Sequence, residues 1–294
     1  MPTLTLPAKP PFSFRSVVYS HGWMQLAPFV YDEPSATLSW IDRLPSGRVL
    51  EVRVREALGG IALETAGRLT KAELSELEAR AAWMFGLQMD FSEFYARARR
   101  EPKLANAEKS GRGRILRSPT LFEDVVKTIL TTNTLWAATK RMTANLVTQF
   151  GEPLPSDPGR HAFPTPSRLA AATEAQLRAE TRLGYRAPYI LELAARTASG
   201  ELDVESLRTS ALPTPDLRKE LMRIKGIGGY AAANLLMLLG RYDYLTVDSW
   251  ARKMVSQEWY DGRPVEPPEV EAHFEQWGQW KGLAYWFWEW SNPS

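Results

Sequence analysis

The sequence predicts an α+β protein in which an N-terminal antiparallel β-sheet packs on a mostly helical body. Three observations support this prediction. Apolar and polar residues alternate from residue 12 to about residue 66, in segments separated by turn residues, as in antiparallel strands. Thr70 and Glu73 then form a capping-box pattern, which marks the start of a helix. From there to the end of the chain most apolar residues recur at helical spacing.

Turn residues divide the first part of the chain at Pro34-Ser35, Pro45-Ser46-Gly47 and Gly59-Gly60. The predicted strands are residues 12–20, 29–33, 36–44, 48–57 and 60–67. The predicted helices are residues 71–85, 91–100, 121–131, 136–150, 166–171, 174–181, 187–199, 203–210, 215–224 and 230–240. We therefore divide the chain into residues 1–100, the sheet with the helices after it, and residues 101–294, the helical body.

Length and composition exclude several classes of protein. A chain of 294 residues can bury a sizeable core, and its hydrophobic content of 44% and charged content of 24% are ordinary for a globular protein. No apolar run reaches the roughly 18 residues of a membrane span, and prolines interrupt the N-terminus where a secretion signal needs an apolar core. We expect a cytoplasmic protein with no membrane partner.

The residues that most often hold metals are scarce. Cysteine is absent, which excludes disulfides, a thiol nucleophile and a cysteine-ligated iron–sulfur cluster. His21, His161 and His273 lie far apart without carboxylates at ligand spacing, so a zinc site is not expected. The net charge of +2 is only mildly basic, so a nucleic-acid surface would be a local patch.

Residues 217–240 predict two helices joined by the glycine hairpin Gly226-Ile227-Gly228-Gly229. Glycines tolerate positive φ in a tight turn and let another backbone approach closely. The free N–H groups at the start of the second helix, near Tyr230, form an anion site with the helix dipole, and Lys225 adds positive charge. The hairpin is therefore predicted to bind phosphate.

After the apolar segment Tyr244-Leu245-Thr246-Val247, the predicted loop 241–250 presents one carboxylate, Asp248, directly before another helical pattern. Taken alone, Asp248 is interpreted as the N-cap of that helix, since an aspartate there accepts hydrogen bonds from free N–H groups. The order of hairpin, second helix and aspartate indicates more than a cap.

This combination resembles the motif of the helix-hairpin-helix DNA glycosylases, the HhH-GPD superfamily, and is similar to its 3-methyladenine DNA glycosylase II and 8-oxoguanine DNA glycosylase branches. Residues 226–230 match the hairpin and Asp248 matches the catalytic aspartate, although the loop here has no proline. The resemblance covers nearly the whole chain and is strongest from about residue 114 to residue 255. It implies an HhH-GPD glycosylase body of two helical halves that flank a DNA-binding cleft.

The resemblance assigns two further stretches to DNA. Asn133 lies between two predicted helices, where the family carries the residue that fills the gap left by an extruded nucleotide, although it is equally interpreted as a helix cap. Tyr185 and Arg186 lie on a turn expected to be exposed, between Gly184 and Pro188. In the 8-oxoguanine branch the matching residues wedge beside the orphaned base and reach toward it, with stacking worth roughly 1–3 kcal/mol.

The resemblance also implies a mechanism. The target base is flipped out of the duplex, and a carboxylate, here Asp248, stabilises positive charge on the sugar and orients a water. Bifunctional members carry a lysine where this chain has Tyr230, which cannot form a Schiff base. We therefore expect a monofunctional enzyme. An aromatic residue at this position is also found in the 3-methyladenine branch.

Aromatic residues are candidates for the base pocket. The candidates are Tyr230, Trp136, Trp250 and Tyr285, with Glu289 placed one helical turn after Tyr285, although aromatic residues at helical spacing are more often core. A carboxylate beside aromatic faces suits the positive charge of an alkylated purine. By resemblance, the backbone carbonyls of Met222, Ile224 and Ile227 are expected to bind Na⁺ or K⁺, and no other cofactor is required.

The sequence thus predicts a monofunctional DNA glycosylase of base excision repair, a hydrolase that acts on alkylated purines in double-stranded DNA. It is expected to be monomeric and associated with the nucleoid of a bacterial-type cell. Two alternatives remain: an 8-oxoguanine-type glycosylase without lyase activity, and a noncatalytic DNA-binding protein that uses the hairpin as a phosphate clamp. A chance glycine turn in an unrelated fold does not explain the ordered series of motifs.

Overall fold

A five-stranded antiparallel sheet opens the fold and a helical body follows it, which confirms the predicted α+β class. The structure is a computed structural model that describes residues 3–291. The strands are β1 Thr3–Pro7, β2 Val30–Asp32, β3 Thr37–Arg43, β4 Val49–Ala57 and β5 Gly60–Thr65. They lie side by side in the order β1-β5-β4-β3-β2.

The helices follow the predicted pattern closely, and the predicted bounds are matched over residues 121–131, 136–150 and 174–181. The helices are α1 Phe14–Val18, α2 Lys71–Met84, α3 Ser92–Ala98, α4 Leu121–Thr131, α5 Trp136–Phe150, α6 Pro166–Ala170, α7 Glu174–Thr181, α8 Ala187–Ala198, α9 Thr214–Met222, α10 Gly229–Leu238, α11 Ser249–Trp259, α12 Pro267–Glu275 and α13 Lys281–Phe287. The predicted helix 203–210 is a 3-10 turn, Glu205–Thr209. Within residues 3–291, none of the helices has the length and apolarity that a membrane crossing requires.

The capping box that divides sheet from helices is confirmed. Thr70 accepts a hydrogen bond from the backbone N–H of Glu73 at 3.2 Å, and the Glu73 carboxylate accepts one from the backbone N–H of Thr70 at 2.9 Å. The two bonds satisfy donors that a helix start otherwise leaves free. Helix α2 therefore begins where the sequence predicts it.

The predicted strand 12–20 is wrong, because residues 14–18 form helix α1. Phe14, Val17 and Val18 are buried, and their i, i+3, i+4 spacing is helical. Ser13 caps the helix by accepting a hydrogen bond from Ser16 N–H at 3.2 Å. Over so short a segment, the same apolar residues fit both the two-residue period of a strand and the 3.6-residue period of a helix. The Ser13 cap distinguishes the two, because such a cap is typical of a helix start.

Two strand pairs lie outside the predicted strands. Strand β1 pairs with β5 at the edge of the sheet and ends at Pro7. An edge strand tolerates proline because its outer backbone N–H groups have no partner strand to donate to. The loop after α5 contains a short hairpin of β6 Pro153–Leu154 and β7 Asp157–His161. Prolines near both segments obscure their strand pattern in the sequence.

Helix α4 lies at the centre of the molecule, and residues 121–130 are all buried. A helix buried on every face must neutralise its own charges. Lys127 Nζ lies 2.6 Å from a Glu123 carboxylate oxygen, and Asp124 accepts hydrogen bonds from Trp23 Nε1 at 2.7 Å and from Ser118 N–H at 2.9 Å. The second Asp124 oxygen has no hydrogen-bond partner among the described residues, so these contacts offset the buried charges only in part. Because it is buried on every face, the helix fixes where the turn after Thr131 emerges.

Two buried arginines join segments that are far apart in the chain. Arg114 donates to the backbone carbonyls of Lys9, Pro11, Gly86 and Met89 at 2.5 to 3.1 Å. Arg117 donates to the carbonyl of Leu238, in the last turn of α10, and to that of Trp83, in the last turn of α2, at 2.8 Å for the latter. Its guanidinium also lies over the Trp83 ring, 4.3 Å from the centroid. Helix α10 is thereby fixed relative to α2.

Replacing Arg117 by Met tests this connection. The variant leaves the buried carbonyls of Leu238 and Trp83 without these donors, so we expect the free energy of unfolding to fall by about 2–4 kcal/mol in urea titrations. The matched control is Arg223→Met, because Arg223 is exposed and pairs with Glu220 on the surface. The control should change stability by less than about 0.5 kcal/mol. Equal losses in the two variants would contradict the role of Arg117.

Candidate active site

The predicted hairpin is present between α9 and α10. Gly226 has a φ of +90°, and a Cβ on this residue would lie 2.7 Å from the Tyr189 ring. Gly228 is the N-cap of α10 with no side-chain hydrogen bond, and a Cβ there would meet nothing within 4 Å. The first N–H groups of α10 are therefore available to a ligand.

Three basic side chains surround the hairpin, and their surroundings differ. Lys225 pairs with Glu192 at 3.1 Å and Lys219 pairs with Asp216 at 2.8 Å, both on the surface. Arg218 forms no ion pair within residues 3–291. Its guanidinium lies beside Gly229 and over the Tyr244 ring, 5.0 Å from the centroid. Arg218 thus adds charge between the hairpin and the loop that follows α10.

The loop 241–250 is held by packing in place of the absent proline. Tyr242 is buried and stacks on Trp280, with the ring centroids 5.9 Å apart and an interplanar angle of 23°. Its carbonyl accepts a hydrogen bond from Gly282 N–H at 2.7 Å. Asp243 accepts one from the Thr214 hydroxyl at 2.7 Å. The start of the loop is therefore fixed to both α9 and α13.

Asp248 lies at the end of this loop as the N-cap of α11, which confirms the simpler interpretation of this residue. One carboxylate oxygen accepts a hydrogen bond from Ala251 N–H at 2.7 Å. Among residues 3–291 no hydrogen-bond donor contacts the second oxygen. The side chain is half-buried. The cap orients the carboxylate and leaves one oxygen free for chemistry.

A cavity of about 490 Å³ opens beside Asp248, and three predicted pocket residues line it with the carboxylate: Tyr230, Trp250 and Tyr285. Trp250 and Tyr285 meet edge to face, with centroids 6.0 Å apart. Burial, then the negative charge of Asp248, raises the pKa of Tyr285 well above its usual range. Tyr285 therefore stays a neutral phenol, a hydrogen-bond donor, next to the carboxylate. The other described lining residues are Ser20, Ala233, Asn234, Met237, Tyr244, Leu245, Thr246, Gly282 and Trp286.

A second cavity of about 340 Å³ adjoins the first and shares Tyr230, Asn234, Met237 and Trp286 with it. Trp136 lines this second cavity, where its Nε1 donates to the Gln25 side chain at 3.0 Å. Trp136 also packs on Gly22, since a Cβ on that glycine would lie 2.4 Å from the ring. Trp136 is thus separated from Asp248 by the residues that the two cavities share.

Glu289 lies apart from both cavities. Helix α13 ends at Phe287, so Tyr285 and Glu289 do not share a helical face as the sequence predicts. The carboxylate instead pairs with Arg112 at 2.8 Å and borders a separate opening. The prediction failed because α13 ends at Phe287 after about two turns, and aromatic spacing alone does not reveal that end.

Asn133, Tyr185 and Arg186 come together although they are more than 50 residues apart in the chain. Asn133 is exposed with a φ of +45° in the turn after α4. The Arg186 guanidinium donates to the carbonyls of Thr132 and, at 3.3 Å, of Asn133, and the Tyr185 hydroxyl donates to Thr132 at 3.4 Å. The turn is therefore braced from the segment before α8.

Arg186 is only 6% exposed, whereas the sequence predicts that it lies on an exposed turn. Tyr185 is 45% exposed, as expected of that turn. The difference arises because the guanidinium turns inward to the carbonyls that end α4, which a cation stabilises. Sequence spacing could not show this, since the partner carbonyls belong to another helix.

The sequence missed several residues of the two cavities. Asn234 and Met237 follow Tyr230 by one and two turns of α10, so helical periodicity places all three on one face. That spacing was available in the sequence. Trp286 lines both cavities and donates through Nε1 to the carbonyl of Ser20 at 3.0 Å. The position of Trp286 depends on this contact with Ser20, near the other end of the chain, and no local sequence pattern indicates such a contact.

The charge of the cavities is simple. Among the described residues that line them, Asp248 is the one acid and none is Lys or Arg. His21 also lines the second cavity, and burial lowers the pKa of this histidine to about 4, so that it is neutral near pH 7. Within residues 3–291 there is no group of three or more His, Asp or Glu side chains suited to a metal ion. The site thus has one negative charge between aromatic walls.

The chain is similar to known proteins in sequence. The model of one protein family, described as HhH-GPD superfamily base excision DNA repair protein, matches residues 126–279. The DNA-3-methyladenine glycosylase of Bacillus subtilis (strain 168) is 29% identical over 160 residues, which covers 54% of this chain and 52% of the relative. The chain thus spans about half the length of the curated relatives it matches.

Solved structures share the fold over most of the chain. The 3-methyladenine DNA-glycosylase of Archaeoglobus fulgidus superposes with a TM-score of 0.76 at 20% identity, covering 97% of this chain and 96% of that one. The 8-oxoguanine glycosylase/lyase of Clostridium acetobutylicum, in complex with double-stranded DNA, gives a TM-score of 0.68 at 22% identity, covering 91% and 90%. At these identities the similarity shows the fold alone.

The two hairpin glycines allow a matched test. Gly226→Ala forces a residue with a side chain into positive φ and against Tyr189, so we expect a loss of about 1–3 kcal/mol in unfolding free energy. Gly228 has a φ of −90°, and a Cβ on it would meet no atom within 4 Å. Gly228→Ala should therefore change the free energy of unfolding by less than about 1 kcal/mol. Urea unfolding of both variants measures this, and the reverse order of losses would contradict the hairpin geometry.

His21 gives a test by pH. The unfolded histidine binds its proton near pH 6.5 and the folded one near pH 4, so its contribution to stability is present above pH 6.5 and is lost as the pH falls toward 4. His21→Gln removes this titration. Relative to the variant, the parent should lose about 1–2 kcal/mol of unfolding free energy between pH 7.5 and pH 5. Urea titrations at the two pH values measure the difference, and parallel behaviour would exclude a buried neutral His21.

Proposed function

Because the chain belongs to the HhH-GPD superfamily of base excision DNA repair proteins, we propose that it is a monofunctional DNA glycosylase. It binds double-stranded DNA as a monomer, flips out a damaged purine and hydrolyses the N-glycosidic bond of that nucleotide. The observation that carries the proposal is the free carboxylate oxygen of Asp248, at an aromatic cavity that shares helix α10 with the hairpin. A cavity of about 490 Å³ has room for a nucleoside.

Asp248 acts on the sugar. As the bond to the base breaks, positive charge develops on the sugar ring, and a fixed carboxylate nearby stabilises it. The Ala251 N–H holds one oxygen at 2.7 Å, so the other is oriented before substrate arrives. That oxygen faces the charge and accepts a proton from the attacking water. The hairpin N–H groups hold the DNA backbone while the base is out of the stack.

Tyr230 supports hydrolysis without strand cleavage. A lyase step needs an amine that attacks the sugar and forms a Schiff base. Tyr230 lies in the first turn of α10 at the mouth of the cavity, and a phenol cannot form that bond. Among the described residues that line the two cavities there is no lysine to replace it. Water is then the nucleophile, and the product is an intact strand with an abasic site.

The charge of the site favours alkylated purines of the 3-methyladenine type. Such bases carry a positive charge, which aromatic faces attract. Tyr230, Trp250 and Tyr285 supply those faces, and the lining has one carboxylate and no cation. Because Glu289 pairs with Arg112 elsewhere, Asp248 supplies the negative charge alone. A neutral damaged base gains less from this arrangement.

Removal of 8-oxoguanine without lyase activity is the second candidate. The observation that favours it is the cluster of Asn133, Tyr185 and Arg186, since the sequence of this cluster resembles the 8-oxoguanine branch. Asn133 and Tyr185 are exposed and able to contact the gap and the orphaned base. Arg186 instead braces the Asn133 turn. A noncatalytic phosphate clamp explains neither the aromatic cavity nor a carboxylate close to DNA.

We also propose that the hairpin binds Na⁺ or K⁺ through the carbonyls of Met222, Ile224 and Ile227. Carbonyl oxygens suit such hard cations, and the ion would add positive charge where a phosphate approaches. The Ile224 carbonyl accepts one hydrogen bond, from Ile227 N–H at 3.0 Å, which leaves a second lone pair for the ion. The catalytic groups lie elsewhere, so no cofactor is required for the reaction itself.

Base release from defined duplexes tests the proposed activity. Oligonucleotides that contain 3-methyladenine, 7-methylguanine, hypoxanthine or 8-oxoguanine are incubated with the protein, with and without alkali. We expect release of the alkylated purines, with strand cleavage only after alkali. Asp248→Asn should lower the rate about 100- to 1,000-fold, because the charge opposite the developing cation is lost.

The matched control is Asp243→Asn, which changes a carboxylate of the same loop that bonds to Thr214. It should keep the rate within about threefold of the parent, since an amide oxygen still accepts that hydrogen bond. Release of 8-oxoguanine alone would favour the second candidate, and strand cleavage without alkali would overturn the argument from Tyr230. DNA binding without release of any base would leave the phosphate clamp.

A further inference from the structure

The backbone of helix α13 meets the backbone of the loop 241–250 at Gly282. A Cβ on Gly282 would lie 2.5 Å from the carbonyl oxygen of Tyr244, 3.0 Å from that of Tyr242 and 3.2 Å from Met237 Sδ. Distances below 3 Å to a backbone atom are not tolerated without a shift. The Gly282 N–H also donates to the Tyr242 carbonyl at 2.7 Å. The loop backbone therefore rests directly on the backbone of α13.

The helix is the firmer of the two partners. Leu283 and Ala284 of α13 are fully buried, and Trp286 donates to the Ser20 carbonyl at 3.0 Å. By contrast, within the described chain the backbone groups of residues 243–247 make no hydrogen bond to other backbone groups. If the two are forced apart, the loop moves.

Movement of this loop reaches Asp248. Tyr244 precedes Asp248 by four residues, and Leu245 and Thr246 between them line the same cavity as both. Arg218 lies over the Tyr244 ring, so the ring cannot move in that direction without displacing a guanidinium. A displacement at Tyr244 is therefore carried along the backbone toward the N-cap of α11.

We propose that Gly282 is a positioning residue for Asp248. Because Gly282 has no side chain, the loop backbone can lie in direct contact with α13, and this short separation places the Asp248 carboxylate at the cavity. The proposal rests on the proposed function for its effect on rate. Its structural part, the position of the carboxylate, is independent of any activity. A misplacement of about 1 Å at a catalytic group lowers a rate by as much as about 100-fold.

Gly282→Ala tests this, with Gly159→Ala as the matched control. Gly159 lies in β7, and a Cβ there would make only an ordinary contact of 3.4 Å with Asp157. The first measurement is amide hydrogen exchange at Ala251, whose N–H is capped by Asp248. We expect exchange of this amide to be about tenfold faster in Gly282→Ala and unchanged in Gly159→Ala, because the displaced carboxylate no longer holds the cap.

The second measurement is the single-turnover rate of base release from 7-methylguanine duplex, beside the affinity for a duplex with a tetrahydrofuran abasic site. Gly282→Ala should lower the rate about 10- to 100-fold and change the affinity less than about threefold, because the hairpin is untouched. In the Asp248→Asn background the same substitution should lower the rate by less than about twofold, since its effect passes through the missing carboxylate.

Three results would overturn the proposal. One is parental Ala251 exchange and a parental rate in Gly282→Ala. Another is a full additional loss of rate in the Asp248→Asn background, which would show an effect independent of the carboxylate. The third is a fall in the urea midpoint together with the affinity for DNA, which would assign Gly282 to the fold. If the parent released no base, the proposed function would fail, and Ala251 exchange would still decide the role of Gly282.

Discussion

Buried guanidinium groups bound to helix ends are the interaction on which the site depends. Arg117 donates to carbonyls in the last turns of α2 and α10, and Arg186 donates to the carbonyls that follow α4. In both cases the acceptors are neutral backbone atoms with partial negative charge from the helix dipole. A planar fork with several donors joins two such ends at fixed geometry, which an ammonium group does not. The helix that carries Tyr230 and the turn that carries Asn133 are thereby fixed to the rest of the molecule.

Asp248, the proposed catalytic residue, would serve both structure and chemistry. The N-cap bond to Ala251 uses one oxygen and sets the direction of the other. In a loop that contains proline, the fixed φ angle of the proline would restrict the backbone conformation before the aspartate. In this loop the stacking of Tyr242 on Trp280 and the contact with Gly282 restrict the backbone instead. Side-chain packing therefore replaces the stiffness of a proline, and helix α13 becomes part of the candidate site.

Local signals in the sequence predicted the helices and the hairpin well, because caps, glycines and apolar periods act within a few residues. The capping box at Thr70 and the bounds of α4 and α5 are examples. Helix α1 was missed because five residues satisfy two periods, and only the bond between Ser13 and Ser16 distinguishes them. Three features of the site could not be predicted, since each depends on a partner far away in the chain. They are the burial of Arg186, the ion pair that holds Glu289 at Arg112 and away from the cavities, and the position of Trp286 in the cavity wall.

The aromatic residues near the C-terminus belong to both the core and the cavity wall, a division that the sequence alone does not reveal. Phe274 and Trp288 are buried and Trp250 is half exposed, yet edge-to-face contacts link them through Tyr285 and Trp290. The cavity wall and the core are therefore parts of one aromatic cluster, and a ring facing the cavity is held by rings that never reach it. Such a wall is uncharged and presents a preformed surface with one carboxylate at its edge. In the proposed reaction, the positive charge that balances Asp248 therefore comes from the substrate, first from the alkylated base and then from the sugar as the bond breaks.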